Sequence, residues 1–212
     1  MADRTVRLVL ASASPRRLAL LEQAGLVPDL LNPTDIDETP AKRETPRRLS
    51  IRLAEEKARL AQAAPLVKKL GDQVFILACD TVVGVGRRIL PKAESLDDAK
   101  ACLWLLSGRS HWVYSTVVMI GPDGRLSRRC VETKVRFKRL AREDIDTYLK
   151  SEEWRGKAGG YAIQGRAAAF VRALSGSYSG VVGLPLYEAV HLLQGAGYPV
   201  YHTWETAGPS GL

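Results

Sequence analysis

Residues Leu8 to Gly25, reading LVLASASPRRLALLEQAG, constrain the fold of this chain more than any other stretch. An apolar, strand-like run from Val6 to Ala11 meets a short polar turn, Ser12 to Ser14. A helix is then punctuated at both ends: Ser14 as N-cap, Pro15 at the first helical position, Gly25 just past the last turn. Arg16 and Arg17 fall in the first helical turn, where each cation opposes the helix dipole at a cost of roughly 0.3–1 kcal/mol. Free backbone N–H groups, two hydroxyls and two guanidiniums would converge there, which suits a polyanion such as a triphosphate. Two solvated arginines on a surface helix are the other reading of the same residues.

Further along, Asn32 to Glu44 is rich in Pro, Asp and Thr and reads as a loop. A helix is expected over Pro46–Ala63, with Leu49, Leu53 and Leu60 as its apolar stripe. Lys57 lies on that same face, so it either snorkels out or brings a charge into an interior cleft. The run Val74 to Cys79 reads as a strand buried on both faces, ending at Asp80-Thr81. Ser95 to Asp98 resembles a capping box for a helix reaching Leu106, with Gly108 as its stop. His111–Ile120 and Leu126–Phe137 are β-rich and joined by Pro122-Asp-Gly124, a hairpin signal. In the second of these Thr133, Val135 and Phe137 alternate with Lys134, Arg136 and Lys138, so one face is wet. A helix over Arg142–Lys150, a Gly-rich stretch from Gly156 to Gly165, a β-type segment over Ala167–Leu174 and a last helix from Pro185 to Gln194 complete the order. The tail after His202 looks frayed. Crossovers together with a hairpin mean an α/β fold with a mixed sheet.

The chain has 212 residues, enough for one sizeable core or two modest lobes. No run of 18 apolar residues is present, so no membrane span is expected, and no basic-then-apolar leader opens the chain. Cys79, Cys102 and Cys130 are odd in number, widely spaced and without a CxxC pair. Neither a disulfide framework nor a zinc knuckle is indicated, and a reducing cytoplasm is the expected compartment. The net charge of +8 favours anionic partners, but the basic residues are scattered in pairs such as Arg47-Arg48 and Arg128-Arg129. Nucleic acid is therefore not the expected partner.

Asp80, at the end of an apolar strand, stands where open α/β sheets place their ligands. A simple turn aspartate is the competing reading. Glu38, beside Asp35 and Asp37, belongs to a loop of solubilising charges from which one carboxylate could share a metal with Asp80. Lys57 and Lys92 could meet phosphate, although Lys92 beside Pro91 also reads as a plain surface lysine. The Gly-rich stretch holds Lys157, Tyr161 and Gln164, and Gln164 carries both a donor and an acceptor for a base edge. No P-loop, no GxGxxG after a strand and no GxSxG elbow occurs, and His111, His191 and His202 are isolated.

Seven pieces, in order, resemble the Maf family of nucleoside triphosphate pyrophosphatases. They are Ser12-Ala-Ser-Pro-Arg-Arg17, Asp37-Glu38, Arg52-Leu-Ala-Glu-Glu-Lys57-Ala58, Ala78-Cys-Asp-Thr-Val-Val83, Leu106-Ser-Gly-Arg-Ser-His111, Lys157-Ala-Gly-Gly-Tyr-Ala-Ile-Gln-Gly165 and Gly176-Ser-Tyr-Ser-Gly-Val-Val-Gly-Leu-Pro-Leu186. The resemblance implies one domain over residues 1–212, with a core spanning 6–194. It implies a mixed twisted sheet flanked by helices, with two lobes around a central cleft, as in inosine triphosphatases. It implies hydrolysis between the α- and β-phosphates to a nucleoside monophosphate and pyrophosphate, with a divalent cation, Mg or Mn, on Asp80 and Glu38. Asp80 matches the catalytic acidic residue. Ser12, Arg16, Arg17, Lys57, Thr81, Lys92 and Gln164 match substrate positions, of which Arg16, Thr81 and Gln164 distinguish subgroups. The Lys-Ala-Gly…Gln-Gly form resembles the dTTP/UTP branch. Two departures bear on this: Pro91-Lys92-Ala93 where the family has Gly-Lys-Pro, and Arg155-Gly156-Lys157 where the branch has Asp-Lys. A homodimer is also left open. The alternatives are another base preference, or a non-enzymatic cell-division regulator that binds nucleic acid or protein.

Overall fold

The opening segment forms β1 (Arg7–Leu10), a turn and α1 (Pro15–Gln23) in the computed structural model, which describes residues 6–202. The tail after His202, expected to fray, lies outside the described residues. Gly25, at φ 67°, follows α1, and Leu26 N–H donates back to the Leu21 carbonyl. Ser14 sits at the N-cap position, but its hydroxyl caps nothing. Instead Ser12 Oγ accepts from the Ser14 N–H at 3.1 Å.

After β2 (Leu30–Leu31) and the expected loop come α2 (Pro46–Ala63), α3 (Pro65–Lys68), β3 (Val74–Val85), β4 (Arg88–Leu90) and β5 (Lys92–Ala93). Then follow α4 (Leu96–Leu106), β6 (Ser110–Ile120), β7 (Leu126–Phe137), α5 (Arg142–Lys150), β8 (Lys157–Ala158), β9 (Val171–Ser175), α6 (Tyr178–Val182) and α7 (Leu186–Gly195). The main sheet has the order β2-β1-β3-β6-β7-β9, with β4 also on β3; β5 and β8 form a separate two-stranded ribbon. β1 runs parallel to β2 and β3, and every other pairing is antiparallel. The sheet is therefore mixed, with helices on both faces. Along β3, Phe75, Leu77 and Cys79 enter a core with Leu21 of α1, Leu103 of α4 and Leu193 of α7. Val74, Ile76 and Ala78 pack with Ala54, Ala58 and Ala61 of α2 on the other face.

Three sequence expectations are corrected. Leu60 is 45% exposed, and the buried face of α2 is carried by Leu49, Leu53, Ala54, Ala58 and Ala61 instead. Small residues there let the helix sit close to the sheet, and a leucine-only stripe overlooks them. The β-type segment expected over Ala167–Leu174 is divided, with a 3-10 turn over Arg166–Phe170 before β9. Most important, the strand carrying Asp80 does not end there. β3 continues to Val85, because β6 pairs with it from Ile76 through Gly84.

On the opposite edge of β3, β1 pairs only with Val74–Leu77 and β4 only with Val83–Val85. β6 occupies the other edge across both stretches, so β1 and β4 share this one. Among the described residues no strand pairs with residues 78–82 on that edge. Asp80 stands in the middle of this window. The window explains why a residue inside a long strand can still reach a cleft.

Candidate active site

Alternation along β3 sends Asp80 and Thr81 to opposite faces of the sheet. Asp80, only 4% exposed, turns toward α2. Thr81 turns toward the segment after α6, where its hydroxyl is 3.5 Å from the Gly183 carbonyl. Because the sheet is open at this point, both side chains line one cavity of about 290 Å³. Ser12, Arg16, Arg17, Glu38, Lys57, Lys92, Lys157 and Gln164 line it as well. Every site residue expected from the sequence is thus brought to one place.

The walls differ in charge balance. On the α2 side, Lys57 Nζ donates to Asp80 Oδ1 at 2.7 Å and to Glu38 Oε1 at 2.8 Å. Lys92 Nζ takes the other Glu38 oxygen, so Lys92 is not the plain surface lysine its neighbours suggest. Asp37, by contrast, faces solvent and accepts from the Thr39 N–H, so of the loop's carboxylates Glu38 alone lines the cavity. Burial by itself would raise the Glu38 carboxyl, but its bonds to Lys57 and Lys92 hold it below the usual range. Burial likewise works to lower Lys57, and Asp80 and Glu38 outweigh it, so the ammonium is held firmly charged. Lys57 does not snorkel: its side chain is 9% exposed.

The α1 side is cationic without carboxylates. Arg17 Nε donates to the Gly183 carbonyl at 2.9 Å and Nη1 reaches Ser12 Oγ at 3.2 Å. Arg16 Nε points at the Val182 carbonyl at 3.4 Å. These carbonyls offset the helix-dipole cost of two cations in a first turn and replace the solvated-arginine reading. Lys157 Nζ reaches only the Arg155 carbonyl. Among the described residues no carboxylate pairs with Arg16, Arg17 or Lys157. Burial, and then Arg17, make the Arg16 guanidinium easier to deprotonate; burial, and then Arg16, do the same for Lys157. Such a wall is destabilised until an anion fills it.

The far wall comes from the β5–β8 ribbon, which pairs Lys92 with Ala158 and Ala93 with Lys157. The departure at Pro91-Lys92-Ala93 therefore leaves Lys92 in the cavity. Within the Gly-rich stretch Gly160 serves internal packing: a Cβ there, where φ is 68°, would stand 3.1 Å from Ala99 Cα. Beyond it, Tyr161 is held by His111 Nε2 at 2.8 Å. Gln164 lies exposed on the cavity wall. Sequence reasoning missed Thr34, whose buried Oγ1 has no partner and which lines the cavity, and the Val182 and Gly183 carbonyls. A loop threonine carries no signal of its own, and backbone carbonyls carry none at all.

The Maf-like protein family profile matches residues 7–196. The chain belongs to the Maf family. It is 60% identical over 203 residues to a dTTP/UTP pyrophosphatase of Mesorhizobium japonicum, covering 96% of this chain and 98% of that one. It is 58% identical over 204 residues to a dTTP/UTP pyrophosphatase of Rhodopseudomonas palustris, covering 95% and 97%. A third of that name, from Agrobacterium fabrum, is 54% identical over 204 residues, covering 96% and 99%. Among solved structures, a nucleoside-triphosphatase / dITP/XTP pyrophosphatase from Mycobacterium abscessus gives a TM-score of 0.38 at 18% identity over 63% of this chain and 73% of that one, too distant a likeness to argue from. No helix of the described residues is long and apolar enough to cross a membrane.

Proposed function

We propose that this Maf-family chain is a nucleoside triphosphate pyrophosphatase acting on dTTP and UTP, releasing the monophosphate and pyrophosphate. The observation that carries the reading is the cavity itself. Unpaired cations Arg16, Arg17 and Lys157 face the buried Asp80, which is the arrangement a triphosphate and an attacking water need. Arg16, Arg17 and Lys157 hold phosphate oxygens, and Ser12 and the first turn of α1 add hydroxyl and N–H donors. Asp80 accepts the proton of the attacking water, and it is one of the two carboxylates that would hold a divalent cation. A protein that only bound nucleic acid or another protein would have no use for a buried carboxylate amid five cations.

The donor set suits a divalent cation. Asp80 and Glu38 turn to the same point, since both bind Lys57 Nζ. Among the described residues no group of three His, Cys, Asp or Glu side chains forms. One or two carboxylates plus substrate phosphates is how Mg²⁺ is commonly held. Such an ion would draw charge off the phosphates as the bond breaks. On the wall of the same cavity, Gln164 offers an amide to the carbonyl and N–H of a pyrimidine pairing edge, and Thr81 lines that cavity as well.

The test is a pyrophosphate-release screen over dTTP, UTP, ATP and GTP with Mg²⁺ or Mn²⁺. The expected result is turnover led by dTTP and UTP, and its loss on chelation. Gln164→Glu should reorder the nucleotides, because a hydrogen-bonding site rejects mismatched edges. A wild type that prefers purines, or an unchanged ranking in the variant, removes the base assignment and leaves the pyrophosphatase reading standing. No release from any of the four overturns both.

A further inference from the structure

We infer that Lys57 is an internal cation that keeps the Asp80–Glu38 carboxylate pair closed to a divalent ion until a triphosphate arrives to take over its ammonium. The inference rests on the pyrophosphatase reading for its nucleotide and its metal. Lys57 Nζ lies 2.7 Å from Asp80 Oδ1 and 2.8 Å from Glu38 Oε1. The Lys57 side chain is 9% exposed and that of Asp80 6%. Lys92 occupies the remaining Glu38 oxygen. Two carboxylates therefore meet two ammoniums, and the cluster is neutral as it stands.

Lys57 holds one oxygen of each carboxylate, at the point to which both turn and where a divalent ion would sit. A dication cannot bind them beside a buried ammonium, because like charges repel strongly where water is scarce. Lys57 has to move for the ion to enter. It cannot simply be released, since a buried charge stripped of its partners is costly. The anionless wall of Arg16, Arg17 and Lys157 marks where phosphate oxygens would lie, in the same cavity as Lys57. Those oxygens give the ammonium its new partner. Metal and nucleotide then promote each other's binding, and the coupling is reciprocal. The free protein keeps its carboxylates satisfied, with no need of a resident ion.

The experiment is a titration of nucleotide-free protein with Mn²⁺, following free Mn²⁺ by electron paramagnetic resonance, with circular dichroism to check folding. Wild type is expected to bind Mn²⁺ weakly, at about millimolar concentration. Lys57→Met and Lys57→Gln, which remove the charge, should bind it at least about tenfold tighter, in the range that neighbours of a metal site command. Lys57→Arg, which keeps a fixed charge, should behave as wild type. The tightening should vanish in a Lys57→Met/Asp80→Asn double variant. Charge-removing variants that fold and bind Mn²⁺ no tighter than wild type overturn the inference, as does a double variant that retains the tight site. If those variants do not fold, the wild-type titration decides: low-micromolar binding without nucleotide overturns the inference, and millimolar binding supports it. Pyrophosphate release by wild type reports separately on the parent reading.

Discussion

Arg16 and Arg17 are adjacent, yet they do different work, and that difference is measurable. Arg17 is tied to Ser12 and to the Gly183 carbonyl, whereas Arg16 is half-buried, crowded by Arg17 and served only by a long contact to Val182. Arg16→Ala should leave the melting temperature unchanged or slightly raised while KM for the triphosphate rises about tenfold or more, the weight of a charge-assisted bond. Arg17→Ala should raise KM and lower the melting temperature together. Equal behaviour of the two in paired kinetic and thermal measurements would refute the distinction. His111 supplies a pH signature. Burial holds its imidazole down to about 4 from an ordinary 6.5. The unfolded chain thus takes up a proton that the folded chain refuses. Stability should be full above about pH 6.5 and fall as pH drops toward 4, by up to about 3 kcal/mol. Denaturant titrations across that range should show the slope, and His111→Phe should flatten it.

At the scale of elements, the site depends on segments that meet without slack. Gly160 has φ 68° and a Cβ there would press on the Ala99 backbone of α4. Gly160→Ala should cost about 1–3 kcal/mol and loosen the stretch leading to Gln164. A melting temperature equal to wild type would show that this contact yields freely. Much of this scale was legible from the residues. Pro15 and Gly25 bracket α1, Ser95 and Asp98 form the capping box of α4, and β6 and β7 pair as the hairpin signal required. What escaped were elements too short for any periodicity: β2, α3, β4, β5, β8 and α6. The last four frame the cavity. β4 closes one side of the window in β3, the β5–β8 ribbon carries Lys92 on one strand and Lys157 on the other, and α6 delivers the Val182 and Gly183 carbonyls.

Across the whole molecule, the chemistry was legible as residue types, and its assembly was not. Asp80 stood out as a carboxylate closing an apolar run, and Lys57 as a charge on an apolar helix face. Their 2.7 Å contact joins residues 23 apart in sequence and needs α2 laid across β3. The position of Asp80 was misplaced for a related reason. Local sequence marks where a strand stops being apolar, whereas the pairing with β6 decides where it stops being a strand. The functional opening is a gap between two partners of one strand edge, a property of topology that no single segment encodes. Under the proposed function Asp80, set in this gap, drives cleavage of a triphosphate into monophosphate and pyrophosphate. The most direct test follows dTTP by ³¹P nuclear magnetic resonance with wild type and Asp80→Asn side by side. Paired growth of dTMP and pyrophosphate signals is expected with wild type, and a rate lower by about a thousandfold or more in a folded Asp80→Asn. Formation of dTDP with orthophosphate, or undiminished turnover by Asp80→Asn, would contradict it.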